Sequence, residues 1–145
     1  MVRKATEGSP AGAKILIVED DVDMAEATRL ILESKKYEVD VAVDYEEGMN
    51  KIKSGKPDLI ILDVMLPGKT GFDLAYKLKE DKTTCHIPLL MLTAINVEQP
   101  GFDASLKIDG KYLPVDEFID KPAKPDDLLK KVEKLLKRQG IVGRV

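Results

Sequence analysis

Short, β-branched apolar runs alternate along this chain with longer stretches in which apolar residues recur every three or four positions, the two periods of strand and helix. KILIV (14–18) is the first run. EDDVDMAEATRLILESKKY follows, with Val22, Ala25, Leu30 and Ile31 at helical spacing and an acidic cluster where it favours a helix N-terminus. YEVDVAV (37–43) alternates as a strand, and DYEEGMNKIKSG (44–55) reads as a helix opened by an N-capping Asp44 and closed by Gly55. PDLIILDVMLPG supplies a third strand, and KTGFDLAYKLKED a helix with Phe72, Ala75, Tyr76 and Leu78 as its buried stripe. IPLLMLTA (87–94) and DEFID (116–120) are two further strands. KPDDLLKKVEKLLKRQG is the last helix, with Leu128, Leu129, Val132, Leu135 and Leu136 on one side and Gly140 at its end.

Five strands alternating with helices predict an α/β fold with an open, doubly wound parallel sheet. The third and fourth strands are continuously apolar, which suits strands covered on both faces. One segment departs from the rhythm. Between Thr93 and Lys121, Pro100, Gly101, Gly110 and Pro114 interrupt any helix, so the fourth helix is expected to be shortened or displaced, followed by an irregular excursion through DGKYLP (109–114). Residues 1–13, rich in Gly, Ala, Ser and Pro, read as a flexible leader. Residues 14–138 form one domain, and 139–145 a C-terminal tail.

Composition narrows the function classes. A chain of 145 residues with 43% hydrophobic content supports a single core. Its 23 basic and 26 acidic residues leave a net charge of -3, without the basic excess that phosphate backbones attract. No Trp and 5% aromatic content also deny it stacking platforms, so direct nucleic-acid binding is not expected. Cys85 is the single cysteine, which excludes an intrachain disulfide. No apolar run approaches the roughly 18 residues of a membrane span, and the start lacks a secretory signal, so a cytoplasmic setting without membrane contact is expected. His86 has only Cys85 beside it, too little for a metal site. The lysines of KKVEKLLKR read as the solvated face of the last helix.

Doubly wound sheets place ligands outside the carboxyl ends of their strands. Glu19, Asp20 and Asp21 follow the first strand, Asp63 ends the third, Thr93 the fourth, and Lys121 follows the fifth. Asp63 is a carboxylate set into the apolar run DLIILDVMLPG, and burial of such a group demands a partner. Gathered carboxylates repel one another unless they share a proton or a cation. An all-oxygen set favours a hard ion such as Mg²⁺. With a lysine ammonium and a threonine hydroxyl added, the edge can hold a phosphoryl group, with one carboxylate as nucleophile.

ILIVEDD, DLIILDVMLPGKTG, PLLMLTA and FIDKP, in that order, cover about Lys14 to Arg138, and on them the chain resembles the receiver domain of two-component response regulators. The resemblance implies a flavodoxin-like five-stranded sheet of order 2-1-3-4-5. It implies Asp63 as phosphoacceptor and Glu19 with Asp20 as the acidic pair, Asp20 ligating Mg²⁺ directly and Glu19 through water. Asp63 and the backbone carbonyl of Met65 complete the metal set. Thr93 and Phe118 are similar to the family's switch pair, and Lys121 to its phosphate-contacting lysine, with a cis bond to Pro122. The implied donor is a sensor histidine kinase or a histidine phosphotransfer protein. The implied readers are an unknown downstream protein or a phosphorylation-dependent homodimer. Such a regulator assists its own phosphorylation and dephosphorylation without being an enzyme acting on a separate substrate. Two rivals stand beside it. An aspartyl-phosphate phosphohydrolase would need a second Asp two residues after the nucleophile, where Met65 stands. A phosphorylation-independent interaction module would merely keep the fold.

Overall fold

The computed structural model of the protein describes residues 12–67, 69–93 and 115–138, and the backbone of 107–108 and 111–112. In chain order, β1 (Lys14–Val18), α1 (Val22–Glu33), β2 (Glu38–Ala42), α2 (Tyr45–Gly55), β3 (Leu59–Asp63), α3 (Gly71–Glu80) and β4 (Leu89–Thr93) alternate strictly. A small pair, β5 (Lys107–Ile108) and β6 (Lys111–Tyr112), precedes β7 (Glu117–Asp120) and α4 (Pro125–Arg138). The main sheet is parallel throughout and runs β2-β1-β3-β4-β7, so β7 is its fifth strand and the order is the expected 2-1-3-4-5.

The period of two within the apolar strands explains why helices lie on both faces. Ile15, Ile17, Leu59, Ile61, Leu90, Leu92 and Ile119 pack with Ala25 and Leu32 of α1 and Leu128, Val132, Leu135 and Leu136 of α4. The residues between them, Leu16, Val18, Ile60, Leu62, Leu89 and Met91, pack with Ile52 of α2 and Leu74, Ala75 and Leu78 of α3. A strand buried on both sides cannot show polar alternation.

Several local expectations shift. In α1 the buried face is Ala25, Thr28 and Leu32, while Val22 and Leu30 are 68% and 61% exposed. At about 100° per residue, Leu30 stands about 140° round the helix from Ala25. Thr28 joins the buried face by donating its hydroxyl to Met24 O at 3.0 Å. In α3, Gly71, Leu74, Ala75 and Leu78 are buried, and Phe72 and Tyr76 are only half-buried. Asp44 caps α2 as expected, but the left-handed residue that ends it is Lys56 (φ 47°), one position after Gly55. Gly12 and Ala13, assigned from sequence to the leader, already belong to the fold. Gly12 N donates to Lys36 O, Glu38 N donates to Ala13 O, and Ala13 is fully buried.

The expected excursion through 109–114 contains order: Lys111–Tyr112 pairs antiparallel with Lys107–Ile108. Asp109 and Gly110, between the two strands, are a residue pair suited to a two-residue hairpin loop. The expected shortened helix falls on residues outside the described ones.

Both outer strands of the sheet meet a lysine from a neighbouring helix. Lys51 of α2 donates to Val41 O of β2 at 2.6 Å, and Lys131 of α4 donates to Phe118 O of β7 at 2.7 Å. Among the described residues, no helix is long and apolar enough to cross a membrane.

Candidate functional site

The packing alternation continues past the strand ends and gathers the polar residues. Glu19 lies two positions beyond Ile17, Asp63 two beyond Ile61, and Lys121 two beyond Ile119, all on the face shared by α1 and α4. Lys121 Nζ stands 2.6 Å from Glu19 Oε1 and 2.8 Å from Asp63 Oδ2. Glu19 is fully buried and Asp63 nearly so. Asp63 Oδ1 accepts from Met65 N at 3.1 Å, so both oxygens of this carboxylate face donors. Glu19 Oε2 accepts from Asp21 N at 3.4 Å, whereas its buried Oε1 has no well-directed hydrogen bond despite the nearby ammonium.

Electrostatics follow from this crowding. The Glu19 carboxyl is pushed up to about 7, first by burial and then by the neighbouring Asp63, against the opposing pull of Lys121. Burial pulls Lys121 downward, but its bonds to Asp63 and Glu19 prevail and hold it above the usual lysine value. Two carboxylates and one ammonium leave a net negative pocket.

Asp20 is exposed, yet it offers an oxygen that lies with one each from Glu19 and Asp63 in a group whose members are all within 4.8 Å of one another. Asp21 is exposed and caps α1 by accepting from Met24 N at 3.0 Å. An Asp immediately before the first helical residue was the available signal. Thr93 is fully buried at the end of β4, and its carbonyl accepts from Lys121 N at 2.8 Å. Phe118 pairs with Met91 across β7 and β4 and packs half-buried against the α2–α3 side of the sheet. The Lys121–Pro122 bond is cis, as the resemblance implies. Met65 turns its side chain to solvent at 65% exposure while its backbone remains at the site. His86 and Cys85 are exposed before β4, away from the acidic group.

Behind Asp63 the chain turns tightly. Val64 O accepts from Gly71 N at 2.7 Å, and Met65 forms an isolated antiparallel bridge with Thr70. Thr70 and Asp73 then exchange bonds as a capping box that starts α3.

The donor set fits a hard divalent cation on two observations. Three carboxylates converge, and one buried carboxylate oxygen, Glu19 Oε1, lacks a directed donor. A single ammonium shared by two of them does not balance the charge.

The response regulator receiver domain family matches residues 15–133. The chain belongs to this family. It is 39% identical over 129 residues to the phosphate regulon transcriptional regulatory protein PhoB of Pseudomonas aeruginosa, covering 89% of this chain and 54% of that one. It is 37% identical over 125 residues to the DNA-binding dual master transcriptional regulator RpaA of Synechocystis sp., covering 86% and 49%. Among solved structures, the response regulator TrrA of Thermotoga maritima, in complex with Mg²⁺ and BeF, superposes with a TM-score of 0.71 at 30% identity, over 85% of this chain and 98% of that one. The receiver thus spans about half the length of the curated relatives it matches. Its role is that of a phosphoacceptor signalling domain, one of a class of signalling proteins rather than classical enzymes. Receiver domains of response regulators take phosphoryl groups from histidine kinases and bind Mg²⁺ at an acidic pocket.

Proposed function

We propose that Asp63 is the phosphoacceptor of this receiver, and that its donor is the phosphohistidine of a sensor histidine kinase or a histidine phosphotransfer protein. The observation that carries this reading is the Lys121 ammonium shared between Asp63 Oδ2 and Glu19 Oε1 at the carboxyl edge of the sheet. Held by Glu19, Asp20, Asp63 and the Met65 backbone carbonyl, Mg²⁺ would supply positive charge against the phosphoryl oxygens. Lys121, bound to Asp63 Oδ2 and Glu19 Oε1, supplies a second positive charge. The Met65 N–H at Oδ1 orients the carboxylate. An oxygen of Asp63 bonds to phosphorus as the phosphorus–nitrogen bond of phosphohistidine breaks, and the electron pair returns to the imidazole.

The product adds about 1.5 to 2 negative charges and new acceptor oxygens. Thr93 donates its hydroxyl to them, and Phe118 follows from the adjoining strand, which changes the surface offered to a downstream protein or to a second copy. Hydrolysis of the acyl phosphate resets the switch, and the receiver assists it. Nucleic-acid binding is not assigned to these residues, whose net charge is -3. DNA binding is a property of the longer RpaA.

Acetyl phosphate with Mg²⁺ tests the reading. Intact-mass spectrometry is expected to find one phosphoryl adduct on the wild type and none on Asp63→Asn. An adduct persisting in Asp63→Asn would move the acceptor elsewhere. No adduct on the wild type would favour an interaction module that works without phosphorylation.

A further inference from the structure

The loop that follows Asp63 carries the Met65 backbone and is closed at its base by the Gly71–Val64 hydrogen bond and the Met65–Thr70 bridge. Its tip has two further attachments. Leu66 is buried among the residues of the α2–α3 side of the sheet, and the Lys69 ammonium stands 4.3 Å from the centroid of the Tyr45 ring. A cation over the face of an aromatic ring at that distance is attracted by the ring quadrupole. Tyr45 is the first residue of α2, half-buried against the same cluster and directly behind the N-cap Asp44.

What α2 rests on gives the contact its reach. A β-carbon built on Gly48 would lie 3.3 Å from both γ-carbons of Val18, so the first turns of α2 sit closely on the last residue of β1. The next two residues are Glu19 and Asp20. The Lys69–Tyr45 contact therefore joins the loop behind β3 to the helix that rests on the end of β1, the strand end that leads into Glu19 and Asp20.

We propose that Lys69 and Tyr45 form a positioning pair, which holds the loop behind the phosphoacceptor against α2 and so sets the Met65 backbone toward the acidic pair. This rests on the reading of the Met65 carbonyl as a metal ligand, and the test separates the two. Neither residue touches the reacting groups. The pair acts by removing loop positions in which the Met65 N–H leaves Asp63 Oδ1 and the Met65 carbonyl turns away from Glu19 and Asp20.

Amide hydrogen exchange and Mg²⁺ titration, both followed by NMR on the intact chain, test the pair in five variants. Tyr45→Leu keeps the charge and removes the ring face, while Lys69→Met keeps the stem and removes the charge. Each is expected to speed exchange of the Met65 and Gly71 amides by about two- to five-fold, as loss of an exposed cation–π contact implies. Strand amides such as those of Ile61 and Leu90 are expected to stay unchanged. The Mg²⁺ dissociation constant is expected to rise by a similar factor, the double variant to be no worse than either single one, and Tyr45→Phe and Lys69→Arg to stay near wild type. Unchanged Met65 exchange in either disruptive variant would overturn the proposal. So would losses that add in the double variant, or faster Met65 exchange with unchanged Mg²⁺ affinity. If the wild type takes up no Mg²⁺, the metal reading fails, and exchange alone decides whether the pair holds the loop.

Discussion

A β-carbon added at Gly71 would run into the backbone carbonyl oxygen of Asp63 and come within 3.2 Å of Val64 Cα. These are backbone atoms, so relief requires the end of β3 to shift, taking the Asp63 carboxylate with it. Gly71→Ala is expected to lose about 1–3 kcal/mol of stability in urea unfolding and to accept phosphoryl groups from acetyl phosphate more slowly. Full labelling speed would mean that the strand end absorbs the change without moving Asp63. Glu19 gives a pH prediction at the same scale. Its carboxyl is raised to about 7 in the fold from an ordinary 4.5, so the folded state holds the proton more tightly than the unfolded state does. The linked stability is fully present below the unfolded value and is lost as pH rises through about 7. In metal-free buffer the wild type is expected to unfold more readily at pH 8 than at pH 5.5, and Glu19→Gln is expected to flatten that difference. A Glu19→Gln profile parallel to wild type would assign the slope to other groups.

Between elements, Lys79 of α3 makes a junction that no sequence pattern announces. Its ammonium donates to Cys85 O and Ile87 O, each at 3.2 Å, and to Asp116 Oδ2 at 3.4 Å, while the same oxygen of Asp116 accepts from Leu89 N at 2.8 Å. One side chain thus ties the end of α3 to the loop before β4 and to the start of β7. Lys79→Met is expected to cost about 1–3 kcal/mol, the range for leaving partly buried acceptors unpaired, with urea midpoints as the measure. A change within a few tenths of that unit would show that water replaces the ammonium without loss.

The contrast with the carboxyl edge of the sheet explains what the chain discloses in advance. Glu19 and Asp63 are legible because each is a charged residue at the end of a strand whose apolar run is unmistakable, Lys121 because it follows the short strand DEFID, and the period of two then puts all three on one face. Lys79 is one lysine among many on amphipathic helices, and its partners lie up to 37 positions away. The phase of α1 is hidden in the sequence for a related reason. Thr28 joins its buried face through a hydrogen bond to its own helix, whereas Leu30, apolar and at plausible spacing, faces water. The β5–β6 pair carried a local sign, Asp109-Gly110, beneath the stronger impression of interruption from Pro100 and Pro114.

At the scale of the whole molecule, an open five-stranded sheet has two edges, β2 and β7. Every second residue on an edge strand points its backbone groups outward, where another strand can pair with them. Lys121 N reaches Thr93 O of β4, so in the alternation of β7 the Phe118 carbonyl faces the open side, and it is there that Lys131 binds. Ala42 O accepts from Glu19 N on the β1 side, so Val41 O faces outward on β2, where Lys51 binds. A charged group therefore occupies the place an incoming strand would take at both ends of the sheet. These two lysines are expected to disfavour templated stacking of one copy on another. Lys51→Met combined with Lys131→Met is expected to turn a stock that stays clear on prolonged storage into one that scatters light and binds thioflavin, with little change in the urea midpoint measured on fresh dilute samples. Clear stocks of the double variant would mean that side-chain bulk, rather than charge, keeps neighbouring copies apart.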